Sequence, residues 1–219
     1  MIKKIIFDVD DTLIPWKSEY NLVIEKVLKK LGLEYNKKDI ENINKSIDVY
    51  EDMYETYSKE NMLDVVNKVT NRNYPIELVN EMIKEWEDCA PEKMEDEFYK
   101  MLEKLSNKYE LVVLTNWFAD SQEKRLKKSQ IFKYFKRVIG TEKIKNKPNK
   151  EAFMEAIEDE NPKECVMIGD NFEKDVKGAL DAGLQAIYIN KKGKEVEKIE
   201  EKYYEVDNII KIEEIIKTL

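Results

Sequence analysis

The sequence predicts an α/β protein: a doubly wound, parallel sheet with an all-helical block inserted after its first strand. Three observations lead there. Short uninterrupted apolar runs recur along the chain and alternate with amphipathic stretches, the pattern of a sheet covered on both faces. That alternation breaks over residues 16–90, where helical patterns follow one another with no strand between them. Polar residues stand directly after the apolar runs, where open α/β sheets gather their ligands.

The first run, Lys4-Ile5-Ile6-Phe7, reads as the opening strand. Ser18 is placed to cap a helix carrying Leu22, Val23, Val27, Leu28 and Leu31, with Gly32 just beyond its end. Further helices read over 40–57 and 61–69, and a third is entered at Pro75 and carries Leu78, Val79, Met82, Ile83 and Trp86. Hinges at Ile14-Pro15-Trp16 and Ala90-Pro91 would bound this block. The expected division is a core of 1–15 and 91–219 and a helical insert of 16–90. Strands at 111–114, 138–139, 166–168 and 186–189 then alternate with helices over 97–105, 120–128, 150–158 and 173–182. Gly183 stops the last of these. The tail from Lys191 reads as a charged connection, a short strand at 203–206 and a closing helix.

Composition excludes several chemistries. The 219 residues contain no histidine, so imidazole catalysis, Ser-His-Asp triads and imidazole metal sites cannot arise within the chain. The two cysteines, Cys89 and Cys165, form no CxxC pair, which speaks against a disulfide framework and a thiolate zinc site. A net charge of −8 argues against nucleic-acid polymers and anionic membranes as partners. The apolar run at 5–7 is too short for a signal peptide, and no run approaches the roughly 20 residues of a membrane span. A cytoplasmic protein is expected.

The stretch FDVDDT poses the central question. Asp8, Asp10 and Asp11 crowd together at the end of a hydrophobic strand. Other strand ends add Thr115 and Asn116, the segment Ile144-Lys145-Asn146-Lys147-Pro148, and Gly169-Asp170. Converging carboxylates repel one another unless a cation offsets them, and Mg2+ takes oxygen ligands of this kind.

These stretches, in this order, resemble the haloacid dehalogenase superfamily of aspartate-nucleophile hydrolases. Its DxDxT motif stands as Asp8-Val9-Asp10-Asp11-Thr12, and its strand-ending Thr or Ser as Thr115. Its lysine stands as Lys147 before Pro148, and its GDxxxxD motif as Gly169-Asp170 through Asp175. The helical block sits where that family inserts its type-one caps. The resemblance implies a Rossmann-like core and a Mg2+-dependent phosphohydrolase cleaving small phosphate monoesters through an aspartyl-phosphate. Asp8 would be the nucleophile. Asp10 would be the general acid and base, its backbone carbonyl also a metal ligand. Thr115 and Asn116 would bind the phosphoryl group and Lys147 would neutralise it. Asp8, Asp10 and Asp170 would hold Mg2+. Asp175 would orient Lys147 or a metal-bound water, or would be an ordinary exposed acid in a first helical turn. Asp10 favours phosphate esters, since dehalogenases of the family lack an aspartate there.

The stretch Leu114-Thr115-Asn116, with Gln122 and Leu126, is similar to nucleotidase-like and sugar-phosphatase-like branches, although Trp117 replaces their usual glycine. Trp117 would line the substrate entrance or pack beneath the cap. A small phosphorylated metabolite is the expected partner, a nucleoside monophosphate or a sugar phosphate. Tyr50, Tyr54 and Tyr57, at i, i+4 and i+7, share one helical face, a stripe that more often packs than binds. Arg72 is the sole arginine of the block, little support for the second phosphate site a phosphomutase would want. A phosphomutase, a non-catalytic phosphate-binding protein and a signalling receiver are the rival readings. A receiver phosphorylates an aspartate after a middle strand and needs no helical insert.

Overall fold

The computed structural model describes residues 1–15, 19–192, 196–199 and 203–219. Trp16 and Ser18, singled out as hinge and helix cap, lie outside them.

Strand β1 (Lys4–Phe7) is central, flanked by β2 (Glu110–Leu114) and β4 (Cys165–Gly169). With β3 (Arg137–Ile139), β5 (Gln185–Ile189), β6 (Val196–Ile199) and β7 (Tyr203–Val206), the sheet order is β3-β2-β1-β4-β5-β7-β6. Every pairing is parallel except β6 with β7. Strand period places alternate side chains on opposite faces. Ile5, Phe7, Leu111, Val113, Val166 and Ile168 join one apolar cluster, whereas Ile6, Val112, Leu114, Cys165 and Met167 join the other. Both faces are buried, which is why these strands read as unbroken apolar runs.

Helices α1 (Glu19–Lys30), α2 (Lys37–Met53), α3 (Lys59–Thr70) and α4 (Ile76–Asp88) follow β1. They build an apolar cluster of their own from Val23, Ile24, Leu28, Ile43, Val66, Leu78, Met82 and Trp86. Local chemistry sets their ends. Gly32 takes φ +61° after α1, and Asn71 takes a left-handed conformation after α3. Asn36 and Asp39 form a reciprocal capping box on α2, and Ser58 caps α3. The remaining helices are α5 (Asp96–Ser106), α6 (Ala119–Lys128), α7 (Lys150–Ile157), α8 (Gly178–Ala182) and α9 (Ile212–Ile216).

Three elements differ from expectation. The helix expected over 40–57 ends at Met53, with Tyr54 extended, so Tyr57 is not on the helical face of Tyr50. The chain leaves α2 to dock on the sheet side: Tyr57 N donates to Thr141 O at 2.9 Å, and Asn146 N to Glu55 O at 2.7 Å. Tyr57 nonetheless stacks on Tyr50, at 4.5 Å between ring centroids, because the loop folds back. The helix expected over 173–182 begins as a π-helix, Phe172–Lys177, before α8. The charged connection contains β6, an edge strand whose sequence, VEKI, shows little apolar pattern.

Candidate active site

Parallel register brings the motifs together. Phe7 pairs with Val113 on one side and Ile168 on the other, so the residues after β1, β2 and β4 emerge at one edge. Asp8 N extends the ladder by donating to Ile168 O at 2.9 Å, and Thr115 N donates to Ile139 O at 3.0 Å. Lys147 arrives from the loop after β3 and is held by Asn116. That amide accepts from Lys147 N at 2.8 Å and donates to Lys147 O at 2.9 Å. The Lys147 ammonium, buried, then reaches Asp8 Oδ1 at 2.8 Å and Asp175 Oδ1 at 2.6 Å.

Asp175 is therefore no exposed helix-end acid; it is buried and grips Lys147. Its other oxygen accepts from Asn171 N at 3.0 Å. The carboxylate lies so close to β4 that a Cβ on Gly169 would sit 2.2 Å from Asp175 Oδ2. Gly178 serves the same loop, since a Cβ there would come within 2.9 Å of Pro148 Cα and the Phe153 ring. Both glycines are needed for close approach, not for turn geometry.

Carboxylate oxygens of Asp8, Asp170 and Asp175 lie within 4.8 Å of one another. Burial pushes the Asp8 carboxyl up to about 8; Lys147 pulls against this, while Asp175 and Asp10 add to it. Burial, then Asp175 and Asp11, push Asp170 up to about 6. Burial alone would lower Lys147, but Asp175 and Asp8 outweigh it and hold the ammonium above its ordinary range. One lysine thus faces three clustered carboxylates, leaving an excess of negative charge among all-oxygen donors. That donor set fits a hard divalent cation.

Asp10 points elsewhere. Its carboxylate pairs with Arg125 Nη2 at 2.7 Å and accepts from Gln122 Nε2 at 2.9 Å. Gln122 also donates to Thr115 Oγ1 at 3.1 Å, which leaves the Thr115 hydroxyl proton free to point at a ligand. Both partners come from α6, three residues apart and so on one face. Gln122 was visible in the sequence as part of a branch pattern; Arg125 was missed, and its i, i+3 spacing from Gln122 was the available signal.

A cavity of about 510 Å3 opens above these groups, lined by Asp8, Asp10, Thr115, Lys147 and Asp170 below. Asn44, Lys45, Asp48 and Glu51 of α2, Lys174, and the rings of Tyr57, Trp86 and Trp117 line much of the rest. Trp117 does both things open to it, bordering the cavity and packing at 5.5 Å from Tyr57 and 5.9 Å from Trp86. Tyr50 is buried among Tyr54 and Tyr57 and does not border the cavity. Glu51 and Lys174 were missed: their partners lie on other elements, and no local pattern marks either one.

A doubly wound sheet with a helical insert and this strand-end constellation define an enzyme, a hydrolase of the α/β class. The chain belongs to the haloacid dehalogenase-like hydrolases, whose pattern it matches over residues 5–189. N-acylneuraminate-9-phosphatase of Mus musculus is 27% identical over 213 residues, covering 88% of this chain and 84% of that one. Glyceraldehyde 3-phosphate phosphatase of Methanothermobacter thermautotrophicus is 25% identical, with 90% of each chain covered. In fold, the chain is similar to the HAD-hydrolase YfnB of Bacillus subtilis, in a crystal structure bound to magnesium (TM-score 0.76, 20% identity, 99% of each chain).

Proposed function

We propose that this hydrolase is a phosphatase that cleaves small phosphate monoesters by way of an aspartyl-phosphate on Asp8. Residues 16–90 form a cap over a core of 1–15 and 91–219. The reading rests above all on one contact, the Asp8 carboxylate at the cavity floor 2.8 Å from the buried Lys147 ammonium. Phosphatase names among the relatives support it.

In the first half-reaction an Asp8 oxygen bonds to phosphorus as the bond to the leaving oxygen breaks. Asp10 gives its proton to that oxygen. In the second, Asp10 takes a proton from water as the water oxygen attacks phosphorus, and the Asp8–phosphorus bond breaks to release phosphate. Lys147 and the Thr115 hydroxyl stabilise the transferring oxygens. Asn116 holds the Lys147 backbone, Asp175 aims its ammonium, and Gln122 and Arg125 fix the orientation of Asp10. Asp8, Asp170 and the Asp10 backbone carbonyl would hold Mg2+, which supplies charge neutralisation at the phosphoryl group. Arg72 gives a phosphomutase no support, since it is engaged by Asp39 at 2.8 Å.

The test is hydrolysis of an aryl phosphate by Mg2+-loaded protein, with Asp8→Asn and Asp10→Asn alongside. Turnover should vanish with EDTA and with Asp8→Asn, and fall roughly 10²–10⁴-fold with Asp10→Asn. Full activity in Asp8→Asn would sink the proposal.

A further inference from the structure

We infer that Glu51 selects the charge of the leaving group. It would admit phosphate monoesters of uncharged, hydroxylated alcohols and exclude those with a second anionic group beside the phosphoryl. This rests on the phosphatase reading of the site and names its substrate class.

Helix α2 turns Asn44, Asp48 and Glu51 toward the cavity at spacings of four and three residues. Glu51 reaches furthest into the polar network. Its Oε2 accepts from Asn116 Nδ2 at 2.9 Å and from Lys174 Nζ at 3.0 Å, and its Oε1 accepts from the Tyr57 hydroxyl at 2.9 Å. Asn116 is the same amide that brackets the Lys147 backbone. A carboxylate is thus fastened one amide away from the lysine that faces Asp8, with its side chain only 15% exposed.

The cavity wall above the floor holds no surplus cation among the described residues. In number, Lys45 and Lys174 only balance Asp48 and Glu51, and Lys174 is held by Glu51. The neutral remainder includes three aromatic rings, Tyr57, Trp86 and Trp117, and the Asn44 amide. Aromatic faces beside carboxylate and amide acceptors suit a ring or chain bearing hydroxyls, whose O–H groups donate to Glu51 and Asp48. A second anion would meet a like charge. At roughly 6 Å and an effective dielectric of about 20 the bare repulsion is about a hundredfold in affinity, and with Lys174 offsetting part of it a factor of about ten remains.

The test is calorimetric binding of two ligands that need no turnover, inorganic phosphate and the non-hydrolysable methylenediphosphonate, to Mg2+-loaded protein. Wild type should bind phosphate more tightly than the diphosphonate. Glu51→Gln should improve diphosphonate binding about tenfold or more while phosphate shifts less than about threefold. Lys174→Met, which removes the ammonium from Glu51, should move the diphosphonate the other way. A wild type that prefers the diphosphonate, equal shifts for both ligands in Glu51→Gln, or no binding of either ligand overturns the inference. Loss of the phosphatase reading would show instead as a wild type that binds phosphate, discriminates as stated, and never hydrolyses an ester.

Discussion

Replacing Gly169 by alanine should damage the enzyme through one neighbour, Asp175. The new Cβ would lie 2.2 Å from Asp175 Oδ2, 2.3 Å from its Cγ and 2.5 Å from its Cβ. Ordinary contact begins near 3.4 Å, so the side chain must retreat by about 1 Å, a shift well beyond what close-packed interiors absorb freely. Asp175 cannot retreat without stretching its bonds to Lys147 at 2.6 Å and to Asn171 N at 3.0 Å. If it stays, the cost is overpacking, roughly 1–3 kcal/mol. If it moves, a buried ion pair is broken, roughly 3–5 kcal/mol. The chain will take the cheaper course, so Gly169→Ala should destabilise by about 1–3 kcal/mol. Phosphatase turnover should fall with it, since Lys147 loses its anchor. Urea unfolding measures the cost, with an unchanged slope certifying that stability alone has shifted. The decisive comparison is a cycle with Asp175→Gly, which deletes all three clashing atoms. In that background Gly169→Ala should cost under about 1 kcal/mol, giving a coupling of about 1–3 kcal/mol. Additive costs, within about 0.5 kcal/mol, would refute the argument that Gly169 exists to admit Asp175.

Other outcomes follow from groups outside the site. Arg72, through its hydrogen bond, holds Asp39 below the usual carboxylate range, and Lys26 does the same for Glu85. Groups with depressed folded values stabilise above their unfolded values, 3.8 and 4.5 here, and lose that contribution as pH falls through the folded ones. The helical block should therefore lose stability below about pH 4. The gap between wild type and Arg72→Met, measured by denaturant unfolding, should be clear at pH 7 and narrow toward pH 3. A gap that widens in acid would reverse the sign of the argument. Cys165 is buried and its thiol is pushed up to about 11 by burial, so it should resist a thiol reagent at pH 8 until urea unfolds the chain. Cys89, half-buried, should account for any native-state labelling.

Much of the fold was legible because its signals are local. Unbroken apolar runs announced β1, β2, β4 and β5; Gly32 and Gly183 mark helix ends by backbone chemistry that needs no distant partner. The strand-end positions of Asp8, Thr115 and Asp170 were equally readable, because parallel strands deliver whatever follows them to one edge. The gathering of Asp8, Lys147 and Asp175 is a different matter. The motif resemblance nominated these residues, but their contacts span up to 139 positions in the chain.

Tertiary structure alone decided the rest. Whether Asp175 was a solvated helix-end acid or the partner of Lys147 turned on a π-helical turn and on a glycine in another element. Where α2 stops is set by Thr141 and Asn146, which take up the backbone of the following loop, so periodicity through Tyr57 carried on past the true end. Strand β6 escaped notice since an antiparallel edge strand is specified by main-chain pairing, here with β7. The composition of its sequence contributes little. Glu51 and Lys174 carry no pattern of their own, and Arg125 offers only its spacing from Gln122. Periodicity reports which side of an element faces the core, and charge–charge geometry is determined only when separate elements meet.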